Sequence, residues 1–215
     1  MEKFSYGEHS AFQKKHKKSK ITFFEDGWQS VQLPPYPKDG SKENLDELKY
    51  LKKLMAKNTD DDLKKIKEQD SATKDFVLKF AKIVNNPTEK HFIKKLAHDI
   101  FEIVVHFKEK YDRPRPYQAA SNLSVDYPEI FTETGVNPSF PSGHATGVFF
   151  LAEIMAKKYP KYREKLFKYA EEVAENRMKG GVHYPSDIRA GKVLAKELMK
   201  YYREPQKLSF KEWFT

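Results

Sequence analysis

Apolar residues recur every three or four positions along most of this chain, which is the spacing of one face of an α-helix. The clearest example runs from Pro87 to about Lys110, where Phe92, Leu96 and Ile100 fall on one side. The same spacing predicts further helices over residues 41–55, 73–84, 162–178 and 187–202. No long stretch alternates in the way that a strand does. The pattern therefore predicts an all-α protein, a compact helical bundle of about six or more helices.

One helix is predicted to lie at the centre of this bundle. Residues 145–156 are almost entirely apolar, so a helix over residues 143–157 would be buried along its length. The stretch before it, from Pro138 to His144, contains two prolines, two serines and a glycine and must form a turn. Either Ser142 or Gly143 is placed to cap the helix. The other helices are expected to pack around this one.

Polar residues and prolines mark the ends of two other helices. Asn86 followed by Pro87 predicts the start of the long helix, with Asn86 as its N-cap. Ser186 is expected to cap the last helix, which then runs from Asp187 to about Tyr202.

The two ends of the chain differ from its middle. Residues 1–32 include a cluster of lysines and are predicted to form a basic N-terminal arm, either solvated or docked on nucleic acid or an acidic partner. Residues 33–204 carry the helical pattern and are predicted to form one domain. Residues 205–215 are predicted to be a C-terminal tail.

Charge and composition limit the classes of partner. The 215 residues include 40 Lys and Arg against 31 Asp and Glu, a net charge of +9 that favours anionic partners. There is no Cys, which excludes disulfide and thiol chemistry. No apolar run approaches the ~20 residues of a membrane span, and no secretory signal is visible. We expect a cytoplasmic protein, or a periplasmic one if a signal segment precedes this sequence.

The start of the central helix is a candidate anion site. A helix N-terminus after a glycine-containing turn presents backbone N–H groups and the positive end of the helix dipole. The Ser142 and Gly143 amides are therefore candidate donors to a phosphate-like group. His144, in the first helical turn, would stand over that group.

Two further stretches supply cations and a second histidine. Lys108 and Arg115 bracket the end of the long helix, where basic residues are usually partners of the helix dipole. Arg177 lies six residues before His183, and Asp187 lies four residues after it. Glycines and a proline in this stretch prevent one continuous helix, so His183 must lie on a loop.

Together these residues meet the needs of in-line phosphoryl transfer. Unprotonated His183 could attack phosphorus, while Asp187 fixes its tautomer and protonated His144 donates to the leaving group. Fixed positive charge for the phosphoryl oxygens would come from Lys108, Arg115 and Arg177. Because these cations are side chains, no metal is required. An acid to neutral working pH is expected.

Three segments also form a recognisable signature: Lys108-x6-Arg115-Pro116, Pro141-Ser142-Gly143-His144 and Arg177-x5-His183-x3-Asp187. It resembles the signature of the type 2 phosphatidic acid phosphatase (PAP2) superfamily, which includes bacterial class A acid phosphatases and vanadium haloperoxidases. With Leu33-Pro34-Pro35-x-Pro37 and Leu151-Ala152-Glu153-Ile154, the chain looks most like the soluble class A, or non-specific, acid phosphatases. The resemblance covers residues 33–204, which would then be a PAP2-type phosphatase domain.

The resemblance implies an acid phosphatase/vanadium-dependent haloperoxidase-like helical fold and a phosphohistidine intermediate on His183, with His144 as general acid. It also implies a phosphate-binding set made of Lys108, Arg115, Ser142, Gly143 and Arg177. One position departs from the family pattern, because Asn176 stands where Ser usually precedes the arginine. An amide can still donate to a phosphate oxygen, so this departure is expected to change the site only modestly.

We therefore predict a metal-independent phosphatase that hydrolyses phosphomonoesters of small molecules and uses no cofactor. Vanadate is expected to act as a phosphate analogue and inhibitor. Two alternatives stay open: a vanadate-dependent haloperoxidase built on the same residues, and a basic helical nucleic-acid-binding module with an inactive site. A homodimer is also left open, and the sequence does not indicate which phosphate ester is the substrate.

Overall fold

The computed structural model describes residues 20–128 and 137–205 and is helical almost throughout. Its helices are α1 (Lys42–Met55), α2 (Asp60–Glu68), α3 (Ala72–Ile83), α4 (Glu89–Tyr111), α5 (Pro116–Asn122), α6 (Gly143–Lys158), α7 (Arg163–Lys179) and α8 (Pro185–Leu198). Short 3₁₀ turns lie at Trp28–Ser30 and Pro160–Tyr162. Within these two ranges the β structure amounts to one isolated bridge, between Phe24 and Tyr202. The predicted all-α class is confirmed.

Helix α6 is the centre of the bundle, as the apolar run predicted. From His144 to Ala156 its residues are buried, with the exception of Glu153. It packs against α3, α4, α7 and α8, which surround it. Each fully buried side chain such as Phe150 or Leu151 contributes about 1.5–3 kcal/mol through removal of apolar surface from water. This packing fixes the position of the helix N-terminus, where the candidate site lies.

Two helix starts differ from the prediction. Helix α4 begins at Glu89 with Thr88 as N-cap, because the Asn86 side chain accepts hydrogen bonds from the Thr88 amide and hydroxyl and forms a local turn. Asn86 is therefore not the cap that we predicted.

The start of α8 also differs. Tyr184 is its N-cap and Pro185 its first residue, and Asp187 accepts the Tyr184 amide at 2.9 Å. Ser186 is thus inside the helix rather than capping it. The helix ends at Leu198, before the predicted end near Tyr202, and turns follow it.

The packed structure begins before residue 33. Phe23, Phe24 and Trp28 are buried in the main core. The Asp99 carboxylate holds this segment, accepting the Thr22 and Phe23 amides at 2.7 Å each. The predicted boundary at residue 33 therefore falls too late, because apolar residues among the charged ones reach the core. The lysine cluster before residue 20 and the tail after residue 205 lie outside the described residues.

No helix in the described part of the chain combines the length and the apolar character that crossing a bilayer requires.

Candidate active site

The predicted site residues come from several separate places in the fold. Lys108 is in the last turn of α4 and Arg177 in the last turn of α7, while His144 is in the first turn of α6. Arg115 follows the chain reversal at Asp112, which has left-handed backbone angles (φ 47°). The loop between α7 and α8 carries His183, and α8 carries Asp187.

These elements bring the predicted residues into one buried cluster. Arg115 contacts His183, His183 contacts Asp187, and the Ser142 amide donates to the Asp187 carbonyl at 3.1 Å. Close packing of α8 on this turn requires Gly191, because a Cβ atom there would lie 2.8 Å from the Ser142 carbonyl oxygen. Of the eight predicted catalytic and phosphate-binding residues, all except Gly143 are less than a tenth exposed.

His183 is held in one tautomer by its two neighbours. Its Nε2 lies 3.0 Å from Arg115 Nη1, and its Nδ1 lies 3.2 Å from Asp187 Oδ2. A guanidinium can only donate, so Nε2 must accept and carry a lone pair, while Nδ1–H donates to the carboxylate. Burial and the nearby Arg115 lower the His183 pKa well below its ordinary value of 6.5. The ring is therefore neutral at pH 7, and its Nε2 lone pair, which accepts from Arg115 in this structure, is the candidate nucleophile.

The Asp187 carboxylate accepts four hydrogen bonds. Its Oδ2 accepts from the Tyr184 amide, the Ser139 hydroxyl and His183, and its Oδ1 accepts from Arg113 at 2.7 Å. Burial acts to raise the Asp187 pKa, but Arg113 and these hydrogen bonds hold it well below the ordinary range. The carboxylate is therefore ionised and fixed in orientation.

Sequence reasoning missed the residues that hold Asp187. The side chain of Arg113 is fully buried, stacked between the Tyr184 ring (3.7 Å to the centroid) and the Tyr36 ring (4.5 Å). It also donates to Ser186 Oγ at 2.7 Å and to Glu47 at 3.2 Å. In the sequence, Arg113 stands in an Arg-Pro-Arg-Pro run that marks a turn and in the family-like stretch from Lys108 to Pro116. Neither feature indicates Asp187, 74 residues away, as its partner.

Two cations of the site, Lys108 and Arg115, donate to carbonyl oxygens. Lys108 donates to the Pro138 carbonyl, and Arg115 donates at 2.8 Å each to the Val182 carbonyl and to two oxygens of Asn137. Burial and the neighbouring Arg115 lower the Lys108 pKa well below its ordinary value. A bound dianion would relieve this repulsion, so the electrostatics of the cluster favour phosphate-like ligands.

Ser142 contributes differently from the prediction. Its amide is directed at the Asp187 carbonyl, and its Oγ accepts from the Ala145 amide at 3.3 Å as the N-cap of α6. The prediction that this amide binds the anion is therefore wrong for this structure, because the amide already donates to the Asp187 carbonyl of α8. The Ser142 hydroxyl hydrogen is still available to donate.

His144 contacts the connection between α2 and α3. Its Nε2 lies 3.1 Å from both the Gln69 and the Asp70 carbonyl oxygens. Burial and Arg177 lower its pKa well below 6.5. The protonated His144 that we predicted therefore depends on the negative charge that a bound phosphate would bring.

Arg177 and Asn176 reach the same connection. Arg177 donates to the Asp70 carboxylate at 2.8 Å. Asn176 donates to the Gln69 side chain at 2.8 Å, so its amide anchors this segment. Sequence reasoning missed Asp70, which lies 107 residues from its arginine and belongs to no periodic pattern.

One cavity lies apart from this cluster. A cavity of about 530 Å³ is lined by residues at the opposite ends of α4 and α6, including Glu89, Phe92 and Lys157. It contains none of the predicted site residues. Within residues 20–128 and 137–205, no group of three or more His, Asp or Glu side chains is arranged to hold a metal ion.

The lowered pKa values of the two site histidines predict a pH-dependent stability. Below about pH 6.5 the unfolded chain binds protons at these histidines that the folded chain does not. The free energy of unfolding should therefore fall on acidification, by at most about 1.4 kcal/mol per pH unit for each histidine.

Urea unfolding of the wild type and of His183→Asn at pH 7.5, 6.5 and 5.5 checks this expectation. The variant should lose less stability than the wild type over this range. His98→Asn is the matched control, because that side chain is 51% exposed. An equal loss in wild type and His183→Asn would contradict the assignment of a lowered His183 pKa.

Comparison with known proteins agrees with the geometry. A family model described as PAP2 superfamily matches residues 96–198, which include all eight predicted site residues. A non-specific acid phosphatase of Providencia stuartii is 30% identical over 175 residues, which cover 76% of this chain and 69% of that protein. An acid phosphatase of Zymomonas mobilis is 27% identical over 118 residues, 53% of this chain and 42% of that protein.

A solved structure, titled as the first bacterial vanadium-dependent iodoperoxidase, aligns with a TM-score of 0.42 and 15% identity. The alignment covers 91% of this chain and 65% of that one. On the extent of its match to the Providencia protein and the position of the family match over the site, this chain belongs to the PAP2 superfamily.

Proposed function

We propose that this protein is a phosphatase that hydrolyses phosphomonoesters of small molecules through a phosphohistidine on His183. The observation that carries the proposal is the His183 Nε2 lone pair, held beside Arg115 in a buried cluster of cations. Two relatives named acid phosphatase support the same reaction class.

In the first half-reaction, the Nε2 lone pair of His183 attacks phosphorus and a P–N bond forms. The P–O bond to the leaving group breaks, and that oxygen takes a proton from His144. Nδ1–H of His183 keeps donating to Asp187, so the carboxylate stabilises the positive charge that develops on the ring. The alcohol then leaves.

In the second half-reaction, water attacks the phosphoryl group while neutral His144 accepts its proton. The P–N bond breaks, its electron pair returns to Nε2, and inorganic phosphate leaves. Lys108, Arg115 and Arg177 balance the charge on the phosphoryl oxygens in both steps, and the Ser142 hydroxyl and the Gly143 amide are proposed donors.

The proposal needs no metal ion and no organic cofactor, because side chains supply the positive charge and the nucleophile. Vanadate, with the charge and shape of phosphate, should therefore inhibit. A cytoplasmic location, or a periplasmic one if a signal segment precedes this sequence, stays a prediction, and a homodimer stays open.

A panel of phosphate compounds tests the reaction class: a nitrophenyl phosphate, an alkyl phosphate, a phosphodiester, pyrophosphate and a phospholipid, each with and without EDTA. We expect monoester hydrolysis that EDTA leaves unchanged and vanadate inhibits. Loss of activity in EDTA would contradict the side-chain mechanism. Halide oxidation after vanadate addition would move the assignment to a haloperoxidase, and salt-sensitive DNA binding without hydrolysis would move it to a nucleic-acid-binding protein.

A further inference from the structure

The connection between α2 and α3 contacts two groups of the proposed site at once. The carbonyl groups of Gln69 and Asp70 face His144 Nε2, and the Asp70 carboxylate faces Arg177. The Asp70 side chain is 11% exposed and that of Arg177 is 1% exposed, so water screens this ion pair weakly. None of these contacts is used by the reaction steps given above.

The backbone contacts decide which nitrogen of His144 can serve the substrate. Carbonyl oxygens only accept, so Nε2 must carry a hydrogen that the two carbonyl groups share. The proton for the leaving group must then be held on Nδ1. The same contacts orient the imidazole ring, as a carboxylate orients His183 on the other side of the site.

The charges that face His144 come from three elements. Arg177 at the end of α7 and Arg115 before α5 both oppose a proton on the ring. Asp70, in the connection between α2 and α3, is the carboxylate that counters them, and it also favours the proton through its backbone carbonyl. Without that carboxylate, the positive charge of Arg177 would oppose a proton on His144 without compensation.

We propose that Asp70 is a positioning residue for the general acid: it neutralises Arg177 and keeps His144 oriented and able to hold the leaving-group proton on Nδ1. The inference rests on the proposed function, since it assigns a role relative to His144. It pairs each histidine of the site with an aspartate, Asp187 for the nucleophile and Asp70 for the acid.

The surroundings of Asp70 allow its charge to be removed with little change of backbone. Gln69 accepts from Asn176 at 2.8 Å and donates to Glu172 at 2.9 Å, so α7 anchors the connection independently of the Asp70 carboxylate. Asp70→Asn should therefore leave the carbonyl contacts to His144 in place. Asp62 offers a matched control, because it also links α2 to α7, through Lys179 at 2.9 Å.

The test compares turnover of an alkyl phosphate and of 4-nitrophenyl phosphate across pH. A nitrophenolate leaves without a proton, whereas an alkoxide needs one, and general acids typically contribute about 10²–10⁴-fold. In Asp70→Asn, kcat for the alkyl phosphate should fall at least about tenfold more than kcat for the aryl phosphate. The basic limb of its pH profile should move to lower pH, because His144 loses its proton more readily.

Reference variants separate the possible outcomes. His144→Ala should show the same preference for the aryl ester, Asp70→Glu should restore part of the alkyl turnover, and Asp62→Asn should behave as wild type. If Asp70→Asn lowers both substrates by the same factor with an unmoved pH profile, Asp70 only holds Arg177 and the proposal is wrong. A gain in turnover or in phosphate affinity would instead make Asp70 a competitor of phosphate, which also overturns it.

Failure of this inference and failure of the proposed function look different. If the wild type hydrolyses neither ester, the phosphatase assignment itself fails. If Asp70→Asn melts far below the wild type, the His144 pKa is measured in Asp70→Glu and in the wild type by NMR titration of the histidines. If the His144 pKa is the same in both proteins, although Asp70→Glu moves the carboxylate relative to Arg177, the proposal is contradicted.

Discussion

Replacing His183 with Asn should lower kcat/KM for every phosphomonoester by about 10⁴-fold or more. The change removes the lone pair that attacks phosphorus, and the loss of one member of a catalytic set typically costs nearly as much as the loss of all. The Asn amide can still donate towards Asp187, so the buried carboxylate keeps a partner. Initial rates with 4-nitrophenyl phosphate give the measurement.

His98→Asn is the control for this experiment, since its side chain is half exposed on α4 and outside the site. It should retain wild-type rates. If His183→Asn keeps turnover within about tenfold of the wild type, the nucleophile is another group and the proposed reaction is wrong.

Replacing Arg113 with Met should lower the free energy of unfolding by about 3–5 kcal/mol. The substitution leaves the fully buried Asp187 without the guanidinium at 2.7 Å, and a buried charge that loses its partner is costly. Displacement of Asp187 would also release His183, so turnover should fall together with stability. Urea unfolding followed by circular dichroism measures the first effect.

Arg163→Met is the matched control for Arg113. Arg163 also lies over an aromatic ring, 4.6 Å from the Phe167 centroid, and 3.5 Å from a carboxylate of Glu153, but its side chain is 57% exposed. Its loss should cost no more than about 1 kcal/mol. Equal losses from the two substitutions would contradict the role given to the buried pair.

The double variant Arg113→Met/Asp187→Asn separates the pair from its surroundings. Its loss in free energy of unfolding should be smaller than the sum of the losses in the two single variants, because both buried charges are removed at once. Strict additivity would mean that the two groups do not interact in the folded protein.

Sequence alone indicated much of this site because its residues lie next to strong local signals. Prolines and glycines forced turns beside Arg115, Ser142 and His183, and the apolar run fixed the central helix. The histidine–aspartate pair was suggested by the His183-x3-Asp187 segment of the signature, and the two side chains lie 3.2 Å apart.

The residues that sequence reasoning missed act over long separations. Arg113, Glu47 and Asp70 meet their partners across 74, 139 and 107 residues respectively. They are single polar side chains with no spacing rule that points to a partner. Glu47 and Asp70 reach the site because α1 and α2 pack against α7, and Arg113 reaches it from the turn between α4 and α5.

Two differences from the predicted elements remain: the start of α4 and the burial of residues before residue 33. At the start of α4 the Asn86 side chain bonds to Thr88 and the helix begins two residues later than Pro87 suggested. Near the N-terminus, Phe23 and Phe24 are adjacent and Trp28 follows four residues later, so the three lack the repeated spacing of a helix or a strand. Their burial therefore had no periodic signal, although each is a large apolar residue that favours the core.

Trapping of the covalent intermediate tests the central claim most directly. Brief reaction of His144→Ala with 4-nitrophenyl phosphate, followed by alkaline quenching and peptide mass spectrometry, should find one phosphoryl group, on His183, because the first step proceeds while base-assisted hydrolysis is slowed. The His183→Asn protein should carry none. A phosphoryl group on another residue, or turnover by His144→Ala without any phosphoenzyme, would contradict the account.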